Sequence, residues 1–329
     1  MSEISWFSAL CDDDYEQLGV PQLDLRSSWE HCSDIVHAAQ DGGFDNVLLP
    51  SGYDLGIDTL AFASAIAPTI TSMKLLAAIL NGRLSINIIS SEMPGEALDG
   101  PSRYARTLET MTALRTLLSG KRLDIDGEHL QLHVDAPRIC RDSPSTPQFY
   151  FGGLSDEARD VAAAGADVYL MWPDTEDVIA ETIADLQQRA STYGRTLKFG
   201  YRVHVVVRET EDEARSAAAH LISAVDAATG DAIRSRSLDS TSVGVRRQAE
   251  LRESAGNDGF VEPHLWTGIG KARSGCGAAI VGTPQQVIDK IHRYEAMGVE
   301  AFIFSGYPHK DEAERFADLV LPHLNHGPL

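Results

Sequence analysis

Positively charged residues are scarce in this chain, in which 28 Lys and Arg stand against 48 Asp and Glu and the formal net charge is −20. A surface with this balance repels nucleic acids and anionic membranes, so neither is an expected partner. Long apolar runs are also lacking. No stretch of ~18 apolar residues predicts a membrane span, and no basic segment precedes the first apolar stretch as it would in a signal peptide. These absences favour a cytoplasmic globular protein.

Cysteine occurs only four times, at Cys11, Cys32, Cys140 and Cys276, and no two form a CxxC pair. This usage is typical of a reducing compartment and disfavours a structural zinc site. The sequence also has no catalytic-triad motif, no HExxH and no close carboxylate pair. We therefore expect an enzyme in which a cofactor carries the chemistry, while the protein supplies orientation and electrostatics.

Short segments rich in β-branched and aromatic residues alternate with segments that have helical apolar spacing and end near glycine. Eight such units in one chain predict a single domain, residues 1–329, of the α/β class with the architecture of a (β/α)8 barrel. An open doubly wound sheet fits eight units less well. The predicted strands are 4–10, 46–51, 73–79, 84–90, 148–153, 167–172, 199–210 and 300–307.

Capping boxes mark several helix starts, where a Ser or Thr and a Glu or Gln three residues later satisfy each other's backbone N–H groups. Residues 123–133, with a central Asp-Gly turn, predict a hairpin inserted in the fourth connection. The predicted boxes are Ser27 with Glu30, Thr210 with Glu213, and Thr283 with Gln286.

One connection is too short for this architecture. Only Leu80–Arg83 separate the predicted third and fourth strands, whereas a parallel crossover needs roughly a dozen residues or more. Either the two strands pair as an antiparallel hairpin, or the third barrel helix is absent near 80–83. We favour the second interpretation because the rest of the chain keeps the alternation. We then expect the residues on either side of Leu80 to be far apart or disordered.

Active-site residues of such barrels follow the carboxyl ends of the strands. The seventh predicted strand turns Arg202 and His204 to one side and Val203 and Val205 to the other. A buried arginine needs an anionic partner, since an unpaired buried charge costs several kcal/mol. That partner is either a local Asp or Glu or an anionic substrate.

Other residues at the strand ends each admit two interpretations. Asn87 either satisfies backbone groups inside the barrel or faces a ligand. Trp172 is either core or a platform for a ligand, and Cys11 is either a small buried apolar residue or part of the site. The run Asp12–Asp14 is either a solvated turn or a set of acceptors at the barrel mouth.

The glycine-rich segment LWTGIGKARSGCGAAIVG (residues 265–282) surrounds Lys271 and Arg273 with glycines. It lacks the strand–turn–helix order of a P-loop or Rossmann fingerprint. A segment of this composition can instead act as a mobile lid that closes on an anion. An anionic substrate needs such local cations here, because the overall field of the protein opposes it.

Several stretches together resemble the alkanesulfonate monooxygenases of the bacterial-luciferase-like flavin superfamily: FGYRVHVVVRETEDEA, LWTGIGKARSGCGAAIVG, FIFSGYPHKDEAERF, QFYFGGLSDEA and VYLMWPD. The resemblance covers nearly the whole chain in order. It implies a (β/α)8 barrel that uses reduced FMN, supplied by a separate NAD(P)H-dependent flavin reductase, together with O2. It also implies that the C–S bond of an organosulfonate is split to give sulfite and an aldehyde. We further expect a homo-oligomer.

The resemblance implies roles for the residues that match the family's motifs. The catalytic positions are Arg202, His204, Arg273, Tyr307 and His309, the substrate-binding positions are Trp172, Cys11 and Asp13, and the FMN-binding positions are Asn87, Tyr104, Gly153 and Ser155. Two departures stand out. Cys11 lies roughly where the family has a histidine, and the family's cysteine after the second strand has no counterpart near Gly52–Asp58.

The acidic segment Cys11–Glu16 resembles the branch of this family that acts on sulfoquinovose, a glucose with a sulfonate at carbon 6. Carboxylates suit sugar hydroxyl groups and the face of Trp172 suits C–H groups, so sulfoquinovose is the predicted substrate. Two alternatives remain. One is another luciferase-like flavin- or F420-dependent oxidoreductase, such as a sulfone monooxygenase. The other is a non-catalytic relative that binds flavin or sulfonate.

Overall fold

The computed structural model describes residues 1–51, 56–76, 84–90, 98–144, 146–226, 230, 242–273 and 275–329. The strands in these ranges are β1 (Glu3–Phe7), β2 (Asn46–Leu48), β3 (Lys74–Leu76), β4 (Leu84–Ile88), β5 (Leu123–Asp126), β6 (Gln131–Val134), β7 (Gln148–Phe151), β8 (Val168–Met171), β9 (Lys198–Val207), β10 (Phe260–Glu262), β11 (Leu265–Trp266), β12 (Ala279–Gly282) and β13 (Val299–Ser305).

The α-helices of the same ranges are α1 (Trp29–Asp41), α2 (Thr59–Ile66), α3 (Gly100–Leu118), α4 (Arg138–Asp142), α5 (Asp156–Gly165), α6 (Glu176–Thr192), α7 (Glu211–Leu221), α8 (Val243–Ser254), α9 (Pro284–Met297) and α10 (His309–Leu319). None of these helices combines the length and the apolar character that crossing a membrane requires.

The central sheet is a closed barrel. Among the described residues, eight strands pair in the order β1, β2, β3, β4, β7, β8, β9 and β13, each parallel to its neighbours, and β13 pairs again with β1. β9 closes the ring, since Tyr201 lies opposite Met171 of β8 on one side and Phe302 of β13 on the other. The predicted (β/α)8 architecture is confirmed.

Side chains on β9 alternate between the helix layer and the barrel interior. Val203, Val205 and Val207 belong to the large core between the barrel and its helices. Arg202 and His204, which alternate with these valines along the strand, line a cavity at the barrel mouth. The rest of the interior is filled by apolar side chains from several strands, including Leu48, Leu76, Tyr150, Val168, Ala301 and Ile303.

The short joint between β3 and β4 does not produce a hairpin. Leu75 lies opposite Leu84 and Leu76 opposite Ser85 in a parallel pairing, so the antiparallel interpretation is wrong. Leu80–Arg83, where we place the missing helix, lie outside the described residues.

Two of the three predicted capping boxes are confirmed, at Thr210 and Thr283. The box at Ser27 is wrong by one residue. Ser28 caps α1, because its Oγ accepts the N–H of His31 at 3.1 Å, whereas the Oγ of Ser27 donates to the carbonyl of Leu10 at 2.9 Å. The predicted hairpin is present as the antiparallel pair β5–β6.

β9 is longer than the strands beside it, and its end positions a further sheet. His204–Val207 pair with β12, outside the ring, and β12 continues through β11 to β10. The glycine-rich segment joins β11 to β12, with a 3-10 turn at Gly268–Lys271. Its path therefore begins and ends beside the carboxyl end of β9, next to Arg202 and His204.

Candidate active site

A cavity of about 760 Å³ lies at the carboxyl ends of the barrel strands. Strand ends, the start of α5, the start of α8 and the glycine-rich segment form its walls. Its volume is within the range of small-molecule and cofactor sites. The predicted site residues in its walls are Cys11, Asn87, Tyr104, Gly153, Ser155, Trp172, Arg202, His204 and Arg273.

Arg202 is a buried cation without an anionic partner among the described residues. Its Nη1 donates to the carbonyls of Val203 at 3.1 Å and Ile303 at 3.3 Å, and its Nη2 donates to Ser305 Oγ at 2.8 Å. The guanidinium carbon lies 4.5 Å from the ring centroid of Phe7. Burial lowers the pKa of this guanidinium, and no neighbouring carboxylate offsets the cost. The charge is held in place by neutral groups, which leaves the site suited to an anionic ligand.

His204 lies beside Arg202 and is equally enclosed. Its Nδ1 is 2.6 Å from Ser305 Oγ, and its Nε2 is 3.2 Å from the carbonyl of Cys276. Burial lowers the pKa of His204 well below its ordinary value, and the charges of Arg202 and Arg273 lower it further. The imidazole is therefore neutral near pH 7.

Arg273 brings a second cation to the mouth from the glycine-rich segment. Its Nη1 lies 3.4 Å from Asp12 Oδ2, and its guanidinium carbon lies 5.9 Å from the ring centroid of Tyr307. The ion pair is partly exposed, with 48% of the Asp12 side chain accessible. Such pairs are weak, so an incoming anion competes with Asp12 for Arg273 at low cost.

Tyr307 and His309 lie behind the wall formed by His204. In the described part of the chain, neither of them lines the main cavity. The ring of Tyr307 stacks on His204 with a centroid separation of 5.5 Å, and His309 meets Tyr307 edge-on at 4.8 Å. Burial raises the pKa of the Tyr307 hydroxyl, which has no hydrogen-bond partner within the described ranges. The three rings form a continuous column that starts at the cavity wall.

Asp14 fixes the far end of this column. Its carboxylate accepts from His309 Nδ1 and from the His309 backbone N–H, both at 2.7 Å, and from His31 Nε2 at 3.0 Å. Burial alone would raise the pKa of Asp14, but the charge of His309 and these hydrogen bonds outweigh it and hold the pKa far below its usual range. His309 Nε2 is left without a partner among the residues described. Asp14 therefore fixes the orientation of the His309 ring and determines which of its nitrogens is left over.

The opposite side of the cavity has the features of a phosphate cradle. α5 starts here, and its cap Ser155 accepts the N–H of Ala158 at 3.2 Å. A Cβ on Gly152 would collide with the carbonyl oxygen of Leu170, and one on Gly153 would lie 2.6 Å from the Cβ of Ala158. A helix start with close backbone approach is the usual setting for a phosphate group.

Tyr104 borders the same turn, since a Cβ on Gly153 would lie 3.6 Å from its hydroxyl. Asn87 of β4 also lines the cavity. It pairs with Tyr150 of β7, the strand that leads into the Gly152–Gly153 turn. The residues present thus fit a phosphorylated flavin: an anion cradle, a tyrosine hydroxyl and an amide, in a cavity of suitable size.

Trp172 stands between two glycines from different segments. A Cβ on Gly244 would lie 3.0 Å from its ring, and a Cβ on Gly275, whose φ is +88°, would lie 3.2 Å from it. The indole thus connects α8 to the glycine-rich segment while lining the cavity. Cys11 also lines the cavity, and burial raises the pKa of its thiol.

Asp13 is placed differently from the other predicted substrate-binding residues. Its Oδ1 accepts the backbone N–H of Ser27 at 2.9 Å, and it is not among the cavity-lining residues of the described chain. The neighbouring Asp12 is the member of the acidic run that contacts the cationic mouth, through Arg273.

Sequence reasoning missed two residues that organise the site. Ser305 is the last residue of β13 and is paired with His204 in the sheet register. Asp14 looks from the sequence like a solvated turn residue, yet it is fully buried. For Ser305 the available signal was strand pairing, since residues in register on two neighbouring parallel strands lie side by side on the same face of the sheet.

Comparison with known proteins agrees with this geometry. Residues 75–301 match the family model described as luciferase-like monooxygenase. The chain belongs to this family. In sequence, the chain is similar to the sulfoquinovose monooxygenase of Novosphingobium aromaticivorans. The two are 58% identical, and the match covers 99% of this chain and 98% of that protein. The sulfoquinovose monooxygenase of Agrobacterium fabrum is 48% identical, with 98% of this chain and 90% of that protein covered.

The fold of this luciferase-like monooxygenase also matches solved structures. A long-chain alkane monooxygenase superposes with a TM-score of 0.71, covering 100% of this chain and 92% of that one, at 17% identity. At this identity the likeness establishes a shared barrel fold and no more.

Proposed function

We propose that this chain is a two-component monooxygenase that uses reduced FMN and O2 to cleave the C–S bond of sulfoquinovose. The sulfonate-bearing carbon becomes an aldehyde, giving 6-oxo-glucose, and the sulfur leaves as sulfite. One oxygen atom of O2 enters the aldehyde, the other leaves as water, and the reduced flavin is oxidised. The observation that carries the proposal is the buried Arg202, which has no anionic partner in the described part of the chain, in a cavity of a chain 58% identical to a sulfoquinovose monooxygenase.

Reduced FMN, when bound, supplies the electrons that activate O2. Tyr104, Gly153 and the Ser155 start of α5 would hold its phosphate, and Asn87 would face its ring system. We assign the supply of reduced flavin to a separate NAD(P)H-dependent reductase, which places the reaction in the cytoplasm. The proposed substrate is a small molecule, in agreement with the volume of the cavity.

The sulfonate would bind between the two cations of the mouth. Arg202 comes from the rigid barrel and Arg273 from the glycine-rich segment. A sulfonate has three equivalent oxygens and suits several converging N–H donors. Among the described residues, the ion-pair partner of Arg273 is the partly exposed Asp12, so the exchange of Asp12 for a sulfonate keeps the charge of Arg273 paired. Closing the segment in this way would also exclude water from the site.

Proton transfer would involve the column behind His204. The Tyr307 hydroxyl is protonated at neutral pH, as an ordinary tyrosine is, and burial raises its pKa further. The guanidinium of Arg273 lies over the Tyr307 ring. His309 has its Nε2 free and its Nδ1 held by Asp14. In this proposal Tyr307 would donate to a group bound at Arg273. His309, in its neutral form with the proton on Nδ1, would receive at Nε2 the proton lost from carbon 6 in the overall reaction.

The sugar ring would lie against Trp172, whose indole offers a flat apolar face to C–H groups. Cys11 lines the same cavity. Hydroxyl groups of the sugar would find carboxylate acceptors in the acidic run, where Asp12 is closer to the mouth than Asp13.

The deciding experiment measures sulfite release from sulfoquinovose in the presence of FMN, NAD(P)H, a flavin reductase and air. An unbranched alkanesulfonate and dimethyl sulfone serve as competing substrates. We expect the fastest sulfite release from sulfoquinovose. Faster turnover of the alkanesulfonate would refute the sugar assignment, and oxidation of the sulfone alone would indicate a sulfone monooxygenase. Ligand binding without turnover of any substrate would indicate a non-catalytic relative.

We further infer that residues 1–329 form one barrel domain without a third barrel helix near 80–83. Only residues 77–83 separate the parallel strands β3 and β4. The match to the Novosphingobium relative extends over 354 positions, more than the 329 residues of this chain, so that relative carries residues with no counterpart here. Insertion of a helix-forming segment of about a dozen residues at this joint should raise the melting temperature. An unchanged or lower melting temperature would contradict the inference.

A further inference from the structure

Ser305 occupies a position that connects the two polar residues of β9. It is fully buried, and it lies opposite His204 in the β9–β13 register. Its Oγ is 2.8 Å from Arg202 Nη2 and 2.6 Å from His204 Nδ1. One hydroxyl group therefore contacts both the cation and the imidazole.

The chemistry of the groups determines the direction of these hydrogen bonds. A guanidinium has only N–H donors, so Ser305 Oγ must accept from Arg202. The hydroxyl hydrogen of Ser305 is then available to donate, and Nδ1 of His204 is the acceptor at 2.6 Å. At the other end of the ring, the carbonyl of Cys276 can only accept, so Nε2 must carry a proton.

The other two protonation states of His204 conflict with this arrangement. With the single proton on Nδ1, the lone pair of Nε2 would face the Cys276 carbonyl at 3.2 Å. With both nitrogens protonated, the ring would add a buried positive charge beside existing cations. The titratable or charged groups that act on the ring from the packed elements are Arg202 of β9, Arg273 and Cys276 of the glycine-rich segment, and Tyr307 and His309 after β13.

We propose that Ser305 is a positioning residue that fixes His204 as the neutral imidazole with its proton on Nε2 and, through the same hydroxyl, holds the guanidinium of Arg202. The tautomer follows from the hydrogen bonds alone. What this tautomer implies for substrate binding rests on the proposed function. A sulfonate oxygen that accepts a hydrogen bond from Nε2–H must replace the Cys276 carbonyl, so substrate binding releases a backbone contact of the glycine-rich segment.

The first test reads the tautomer directly. In long-range ¹H–¹⁵N spectra of the substrate-free protein, with His204→Gln used for assignment, His204 should show an unprotonated Nδ1 and a protonated Nε2. A protonated Nδ1 would overturn the proposal whether or not the enzyme cleaves sulfoquinovose. In Ser305→Ala, the fraction of His204 with a protonated Nδ1 should rise, because the longer contact of Nε2 to the Cys276 carbonyl, at 3.2 Å, is then left to set the tautomer. Ser305→Thr, which keeps the hydroxyl, should retain the wild-type pattern.

The second test separates positioning from packing. Ser305→Ala should raise KM for the sulfonate by about tenfold or more, because a hydrogen bond to a charged group is lost. In Ser305→Thr, KM for the sulfonate should stay close to the wild-type value. Ser5→Ala is the matched control, since Ser5 is buried on β1 and its Oγ has no partner within the described ranges. Equal losses in Ser305→Ala and Ser5→Ala, or a loss in Ser305→Thr as large as in Ser305→Ala with both proteins folded, would show that Ser305 only fills space.

Discussion

The substitution Arg202→Met tests whether Arg202 serves ligand binding or the stability of the fold. Methionine has a similar length and no charge, so the substitution removes the guanidinium with little change in volume. Arg202 has three hydrogen bonds to neutral groups and no carboxylate partner among the described residues. The folded protein therefore bears the cost of a desolvated charge that only a ligand can offset.

Arg202→Met should lower kcat/KM for sulfite release but should not lower the free energy of unfolding. Loss of one partner of a desolvated charge pair costs about 2–5 kcal/mol, so kcat/KM for sulfite release should fall by about 30-fold to 5,000-fold. The free energy of unfolding of the substrate-free protein should stay within about 1 kcal/mol of the wild type or rise, because an apolar side chain replaces an unpaired buried charge.

Arg208→Met supplies the matched control. Arg208 directly follows β9, but it pairs with the buried Glu312 at 2.7 Å. The same chemical change should therefore destabilise the protein, because it leaves the buried carboxylate of Glu312 with only the longer contact to Arg315, at 3.5 Å, among the ion pairs of the described residues. Denaturant unfolding and steady-state sulfite assays on both variants test the contrast. Near-normal kcat/KM in Arg202→Met, or destabilisation equal to that of Arg208→Met, would show that Arg202 is a structural residue.

Three further predictions follow from the site. Arg273→Ala should lower activity and expose the glycine-rich segment to limited proteolysis, yet change stability by less than about 1 kcal/mol because its ion pair is partly exposed; unchanged cleavage would contradict this. FMN should bind weakly when oxidised and more tightly when reduced, as fluorescence and anaerobic titrations can show; a tightly co-purifying oxidised flavin would count against it. The pKa of folded His204 is lowered, so the unfolded chain binds the proton more readily and stability should fall as pH drops below about 6.5. His204→Gln should reduce that slope in urea titrations, and an unchanged slope would refute the assignment.

The barrel was predictable because hydrophobic periodicity reports which side of each element is buried. Alternation on β9 placed Arg202 and His204 on the cavity side, and the structure agrees. The capping pattern did not locate the start of α1 exactly, because two adjacent serines can each act as the N-cap. Ser27 and Ser28 can both cap α1, and the choice depends on a tertiary contact, the bond from Ser27 to Leu10.

The contacts that organise the site depend on residues far apart in sequence. The Asp14 carboxylate meets His309, and Ser305 meets Arg202, only after the barrel has closed. An acidic run by itself does not reveal which member is buried, so Asp14 and Asp13 could not be told apart. The burial pattern decides it: Asp14 points inward beneath the column of rings, while Asp13 caps a turn at Ser27.

The long strand β9 limits how this enzyme can change its substrate. It is hydrogen-bonded to β8, β13 and β12, so its residues cannot slide independently of the ring. Insertion or deletion of a single residue before Arg202 would turn Val203 and Val205 to the mouth and replace a cationic, polar lining with an apolar one. Mutational drift in β9 should therefore be confined to point substitutions. New specificities would arise instead in the segments around Trp172, where α8 and the glycine-rich segment meet the cavity without belonging to the ring.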